Sequence, residues 1–418
     1  MSDSGIYIRE QNQNITICVI YVDDILFMGS SKKVISNIKQ KFMKMWECRD
    51  LGKVKEYLGI NIIHNKNLRT LVIDQAAYAR KVVQCFGLEN CKPTRTPLPT
   101  GYNPLPNKET CTPNERSYFQ QIIGSLLYLA LGTRPDIIFA VIMMSQFSQN
   151  PSQDHIQKAL YIVKYIAHTL DTRIVYHKNG SGFIAYADAD WASDRITRIS
   201  VTGYVLMLAG GAVSWVSRKQ KTIALSSTEA EYMSMSDASR QLIWVQNLYS
   251  ELGYEINGID LCCDNQGAIF LASNPAQEHR SKHIDIRFHY IRQQVEDKKV
   301  RLSYIPTNEQ LADLMTKNLS FDKLRFFRNA LGIIFDDITN VNYTRTLLPY
   351  WVLVKLPLKK FNKYVEQNQD LMDEDYVDTI MKQRGISRVL DGMESDADSI
   401  TLEEYIQDKK FYDSRELI

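Results

Sequence analysis

Carboxylates close several apolar runs of this chain. The stretch FIAYADADW (183–191) is β-like and finishes in Asp188 and Asp190. Residues two apart on a strand share a face, so the two acids project together. Clustered carboxylates repel one another unless a cation sits between them. An isolated DxD is more simply a solvated strand end, since charged residues mostly occupy exposed faces. Further acids from other elements change that balance. Asp264 follows the apolar run 259–263, and Asp313 lies in a helix expected to begin near Asn308, after the strand-like VRLSYIP (300–306). Glu229 and Glu231 fall at the start of a helix that Thr228 is expected to cap and that runs to Leu252, where the helix dipole alone explains an acid just as well. Carboxylates from four separate elements suit in-line hydrolysis of a phosphodiester. One Mg²⁺ orients and deprotonates water while another, about 4 Å away, stabilises the leaving 3′-oxygen. Such hard ions take oxygen ligands and need neither His nor Cys.

The elements that would position these acids follow from periodicity. Short apolar runs at 174–176, 183–187, 203–208, 212–216 and 222–225 read as strands, and the helix after Thr228 presents Tyr232, Met235, Leu242, Val245 and Leu248 to a core. Upstream, 122–148 reads as two apolar helices parted at Thr133-Arg134-Pro135-Asp136, with Pro135 opening the second and Asp136 at its positive end. A third helix, 152–169, carries Ile156, Leu160, Val163 and Ile166. Between 92 and 113 six prolines break regular structure, which reads as a linker. Nearer the N-terminus, 15–29 reads as a hairpin with Asp23 and Asp24 at its tip. A helix over 31–46 follows, capped by Ser30, with Val34, Ile35, Ile38, Phe42 and Met45 as a core stripe. A strand at 71–73 and a helix at 75–86 complete that part.

Composition narrows the class. The chain of 418 residues exceeds one ordinary core, and 44% apolar content is normal for a globular protein. No apolar run reaches membrane-spanning length and MSDSGIYIREQNQN lacks the pattern of a secretory signal, so the expectation is a soluble intracellular protein with no membrane partner. Seven cysteines without a CxxC pair argue against a disulfide framework or a zinc site. Residues 370–418 hold fourteen acidic against six basic residues, which concentrates the basic excess in the rest of the chain, as a polyanionic partner would favour. This tail has few large apolar residues, is expected to be disordered, and receives no function.

Tyr21-Val22-Asp23-Asp24 resembles the metal-binding turn in the palm of reverse transcriptases, which implies Asp23 and Asp24 as metal ligands. That family also uses an Asp on an earlier palm strand. Twenty-two residues precede Asp23, so the expectation is an incomplete polymerase module without independent DNA synthesis. DLGKVKEYLGINI (50–62) resembles the end of a palm and start of a thumb in copia-type retrotransposon polymerases. The likeness to copia-type Pol proteins is densest over 120–332. It rests on GSLLYLA (124–130), TRPDI (133–137), DADWASD (188–194), TGYV (202–205), GGAVSW (210–215), LSSTEAEYM (225–233), CDNQGAI (263–269), KHIDIRFHYIR (282–292) and NEQLADLMTK (308–317). Phe119 departs from that pattern, where an Arg is expected.

The resemblance implies an α/β (α+β) chain. A truncated palm hairpin and thumb (1–91) leads through a proline-rich linker (92–114) to a helical connection (115–172). A ribonuclease H-like mixed sheet flanked by helices (173–332) and an unassigned extension (333–418) follow. It implies Asp188 as a metal-bridging acid, Glu231 as the second with Glu229 as the alternative, Asp264 as the third and Asp313 as the last, peripheral ligand. Glu231 is preferred because Glu231-Tyr232-Met233-Ser234 fits the Glu-hydrophobe-hydrophobe-small pattern of such helices. Two Mg²⁺, with Mn²⁺ as a substitute, would serve cleavage of RNA in RNA:DNA hybrids. Asn265 and Gln266 would touch 2′-hydroxyls in the minor groove, and Arg280, Lys282 and His283 would grip the backbone. The loop 304–308 lacks the His that many cellular ribonucleases H carry before the last Asp, which implies slow product release. Template and primer nucleic acid and an intact Pol chain are the other implied partners, in cytoplasmic particles or the nucleus. Two alternatives are a catalytically inactive nucleic-acid-binding remnant and an integrase-like strand transferase. The second is disfavoured because no His/Cys zinc module precedes the core.

Overall fold

The computed structural model describes residues 3–11, 13–178, 182–194, 197–274 and 290–334. Residues 1–336 form one compact unit; a second, 337–418, lies outside the described residues, as do Arg280, Lys282 and His283. In chain order the elements are β1 (Ile6–Gln11), β2 (Asn14–Tyr21), β3 (Asp24–Gly29), α1 (Lys32–Met45), β4 (Glu56–Tyr57), β5 (Ile60–Asn65), β6 (Thr70–Asp74) and α2 (Ala76–Cys85). Three helices follow: α3 (Pro113–Gly132), α4 (Ile138–Ser145) and α5 (Gln153–Ala167). Then come β7 (Arg173–His177), β8 (Ile184–Asp190), β9 (Val201–Leu208), β10 (Gly211–Lys219), α6 (Ser227–Glu251), β11 (Ile259–Cys263), α7 (Gln266–Ser273), α8 (Tyr290–Glu296), β12 (Val300–Tyr304), α9 (Phe321–Ala330) and β13 (Ile333–Ile334).

The strands build three sheets. β1-β2-β3 is an antiparallel meander whose β2–β3 turn carries the YVDD motif. Val22 adopts φ 51° there, a conformation a β-branched residue rarely takes. The stripe of α1 lies on this hairpin, with Phe27 and Phe42 edge to face at 6.0 Å, but no residue of the helix is fully buried and Met45 is exposed. The expected core face is therefore only half covered, and the cap is Ser31 rather than Ser30.

A second sheet has the order β10-β9-β8-β11-β12. β8, β9 and β10 pair antiparallel, and β11 joins β8 and β12 in parallel. In order of appearance this is 3-2-1-4-5, with the long helix α6 between the third and fourth strands, which is the ribonuclease H fold. The run 222–225 is no strand; it leads irregularly into α6. The third sheet, β13-β7-β6-β5-β4, corrects a grouping made on periodicity. The strand at 174–176 pairs with Thr70–Asp74 and Ile333–Ile334, not with β8, β9 or β10, because alternation reveals a strand but not its partner.

Both faces of the five-stranded ribonuclease H-like sheet are covered. Tyr186, Val205, Met207 and Cys262 face a core shared with α3, α4, α5 and α9. Ala185, Ala187, Leu206, Leu261 and Cys263 face α6 and α7. Phe119, the residue in place of an expected Arg, is 0% exposed in the first of these cores, so an apolar side chain is what its site accepts. In TRPDI, Arg134 donates to both oxygens of Asp136 at 2.8 Å, and the Tyr165 hydroxyl donates to the same carboxylate at 2.8 Å. The motif is thus a buried structural ion pair, more than the helix-end charge its spacing predicts.

The proline-rich stretch is irregular, as expected, yet it is no free linker. Leu98 is buried, the Thr100 hydroxyl donates to the Leu319 carbonyl at 3.4 Å, and Asn318 Nδ2 donates to the Tyr102 carbonyl at 3.0 Å. α3 starts earlier than apolar spacing indicates. Thr112 and Glu115 form a capping box with Pro113 at the first turn.

Candidate active site

Asp188 ends the apolar part of β8 and is 1% exposed. β11 runs parallel to β8 with Leu261 beside Ala185 and Cys262 beside Tyr186, so continuing the register sets Asp264 beside Asp188. Adjacent strands lie about 4.8 Å apart, and the Asp264 charge acts on Asp188. On the other side Gly203 faces Asp188 in β9. A Cβ at Gly203 would come within 2.5 Å of Thr316 Cγ2 and 2.7 Å of Met315 Cβ, so only glycine lets the segment bearing Asp313 approach this closely.

α6 delivers the third acid. Its N-cap is Ser226, whose Oγ accepts from the Glu229 amide at 3.1 Å, in place of the expected Thr228. Glu229 turns back to accept from the Leu225 amide at 2.8 Å, which makes it part of the cap. Glu231 points the other way, with an oxygen 3.7 Å from the Cys263 thiol that donates to it. Ligand atoms of Glu231, Cys263 and Asp264 lie within 4.8 Å of one another. Ser234, one turn on, donates to the Asp188 carbonyl at 2.7 Å and so fastens α6 to β8. Its small side chain permits that approach.

Asp313 sits in a 3-10 turn, Leu311–Met315, where a longer helix was expected. Gln310 is buried and donates to the Ala187 carbonyl at 2.9 Å while accepting from the Ala312 amide at 3.2 Å, which locks the turn against the sheet. The turn also brings residues that spacing of acids does not reveal. Lys317 Nζ is 2.6 Å from Asp313 Oδ1 and 3.3 Å from Asp188 Oδ2. Lys323 Nζ lies 3.2 Å from Asp313 Oδ2, and the Thr316 hydroxyl donates to Asp188 Oδ2. The Asp313–Lys317 spacing of four was visible in LADLMTK, whereas Asp188 is remote in sequence.

Burial raises the Asp188 pKa, against the pull of the Lys317 charge. Burial and then the charges of Asp188 and Asp264 push Glu231 up to about 10. Asp190, less enclosed, is pushed up to about 6, mainly by burial. Burial, then the Glu231 charge, raises the Cys263 thiol, which keeps it protonated. Carboxylates this crowded and dry favour a cation among them. In the close group Glu231 and Asp264 offer oxygens to a hard divalent ion, and the neutral Cys263 thiol is a poor competitor for Mg²⁺; Asp188 stands outside that 4.8 Å group and acts on Glu231 through its charge.

The remaining expected site residues are scattered. Asp23 and Asp24 are exposed in the β2–β3 turn, and among the described residues they join no third acid in a cluster. Asn265 caps α7, its Oδ1 accepting from the Ala268 amide at 2.9 Å, and Gln266 is exposed at that helix's first position.

Strand order defines a ribonuclease H-like fold, and it is joined to polymerase-like elements nearer the N-terminus. A family model described as reverse transcriptase (RNA-dependent DNA polymerase) matches residues 1–100. The chain is 35% identical over 340 residues to the Pol polyprotein of transposon TNT 1-94 from Nicotiana tabacum, covering 79% of this chain and 26% of that one. Against the Pol polyprotein of transposon RE1 from Arabidopsis thaliana it is 35% identical over 337 residues, 80% of this chain and 23% of that one. A putative transposon Ty5-1 protein of Saccharomyces cerevisiae is 32% identical over 245 residues, 57% of this chain and 78% of that one. The crystal structure of RNase H1 from the archaeon Halobacterium salinarum NRC-1 matches 32% of this chain and 95% of its own at 21% identity and a TM-score of 0.20, so the fold assignment rests on strand order instead. The chain belongs to the Pol proteins of copia-type retrotransposons. It spans about a quarter of the plant polyproteins it matches. No helix among the described residues is long and apolar enough to cross a membrane.

Proposed function

We propose that this chain is a ribonuclease H, cleaving the RNA strand of RNA:DNA hybrids by Mg²⁺-assisted hydrolysis. The observation that supports this reading is the pairing of Glu231 with Asp264, from α6 and the end of β11, beside Asp188 of β8 and Asp313 of the 311–315 turn, which Lys317 bridges. Asp188, Glu231 and Asp264 would hold Mg²⁺, which supplies polarisation of water and charge neutralisation at the scissile phosphate. Thr316 orients Asp188 by its hydrogen bond, and Gln310 fixes the turn that carries Asp313. Gln266, at the exposed start of α7, meets 2′-hydroxyls of the RNA strand, with Asn265 shaping that corner. Arg280, Lys282 and His283 add positive charge for the hybrid backbone. The resemblance implies two ions shared among Asp188, Glu231, Asp264 and Asp313. Primer extension by this chain alone is not expected, because Asp23 and Asp24 find no third acid among the described residues.

Incubation of the purified chain with a labelled hybrid and Mg²⁺ tests the reading. Cleavage by the parent chain and its loss in Asp188→Asn are expected. Binding without cleavage would convert the protein to a non-catalytic remnant, and full activity in Asp188→Asn would place the chemistry elsewhere.

A further inference from the structure

Lys317 stands where a second cation would be needed. Its ammonium lies 2.6 Å from Asp313 Oδ1 and 3.3 and 3.4 Å from the two oxygens of Asp188. Both acids are almost wholly removed from water, with side chains 2% and 1% exposed, so they depend on a cation for compensation far more than a surface pair would. Lys323 completes the arrangement at Asp313 Oδ2, 3.2 Å away. Both oxygens of Asp313 are therefore matched to ammonium groups. The opposite half of the centre differs: Glu231 and Asp264 cluster around the neutral Cys263 thiol, and among the described residues neither carboxylate forms an ion pair with a lysine.

We propose that Lys317 acts as the second cation of the centre, joining Asp188 to Asp313 and limiting the acids to one divalent ion held by Asp188, Glu231 and Asp264. The inference rests on the reading of these acids as a metal centre and replaces one of the two ions implied by the resemblance. Ion pairing supports it: Lys317 already bridges Asp188 and Asp313, and Lys323 takes the second oxygen of Asp313. A second divalent ion would have to enter beside an ammonium already in hydrogen-bond contact with both of its ligands, and like charges at that range repel. An ammonium has three donors. With one toward each acid, Lys317 retains a third N–H for a phosphate oxygen of the bound strand. Lys317 thus positions Asp188 and Asp313 and supplies charge that a metal supplies elsewhere.

Mn²⁺ binding to the full chain, followed by electron paramagnetic resonance and calorimetry, tests this without relying on turnover. Equivalents are counted as the difference from Asp188→Asn, which removes sites remote from the centre. One equivalent is expected for the parent chain and for Lys317→Arg, which keeps the charge. Lys317→Met, of similar length without charge, is expected to gain a second. Two equivalents in the parent chain, or one in Lys317→Met with unchanged affinity, would overturn the proposal. Should Lys317→Met fail to fold, the parent count alone decides between one and two. No Mn²⁺ at the centre together with no hybrid cleavage would overturn the metal-centre reading itself, a pattern distinct from an active chain that binds two ions.

Discussion

Glu229 and Glu231 differ by two positions and, in a helix, by more than half a turn of direction, so only one of them can face Asp188 and Asp264. Glu229 spends its carboxylate on the Leu225 amide, while Glu231 lies among Cys263, Asp264 and the Asp188 charge. Removing them should separate stability from chemistry. Glu231→Gln is expected to lower hybrid cleavage by about 100-fold or more with little change in unfolding free energy, because a ligand oxygen is lost and the fold is not. Glu229→Ala is expected to cost about 1 kcal/mol of stability through the lost cap, with cleavage per folded molecule unchanged. Urea titration and single-turnover cleavage of both variants check the pair of outcomes. The reverse result would make Glu229 the ligand.

Elements place these residues through close approaches that depend on small side chains. Gly203 in β9 is the tightest, since it lets Met315 and Thr316 press against the sheet opposite Asp188. Gly203→Ala is expected to cost about 1–3 kcal/mol by overpacking and to weaken cleavage by shifting Thr316 and the 311–315 turn. Denaturation midpoints with cleavage rates test this, and an alanine variant with parent-like values in both would show that the turn has slack. Much of this arrangement could be read from residue order. Apolar runs ending at Asp188 and Asp264 are local signals, as is Glu231 followed by a small residue one turn on. Other parts could not be read locally. Ser226, Ser227 and Thr228 are three adjacent hydroxyls, any of which can cap, and only the packed helix start selects Ser226. The 311–315 turn depends on Gln310 reaching Ala187, 123 residues away, and Lys317 on reaching Asp188, 129 residues away. Thr112-x-x-Glu115 was a local signal for the start of α3, obscured by the prolines around it.

At the scale of the whole molecule, the connection is a layer of the ribonuclease H-like part, not a spacer before it. One face of the sheet, through Tyr186, Val205, Met207 and Cys262, packs in the same core as α3, α4 and α5. Trp215 on β10 donates its indole N–H to the Ala130 carbonyl at 2.8 Å, tying sheet to helix. β7 meanwhile takes its hydrogen bonds from β6, upstream of the proline-rich stretch, and its other neighbour is β13 at the end of the described chain. A cut at 172/173, where strand periodicity begins, would strip an apolar face of its cover and leave β7 with an unpaired edge, both of which favour aggregation. The fragment 173–334 is therefore expected to bind a hydrophobic dye and to lack a cooperative thermal transition, while 1–334 melts sharply. Coexpression with 1–172 is expected to restore solubility, because that piece supplies the helices and the β6 edge that cover the fragment among the described residues. A sharply melting 173–334 that cleaves a hybrid without its upstream partner would show that the sheet tolerates exposure of this face, and would make the connection dispensable for the centre.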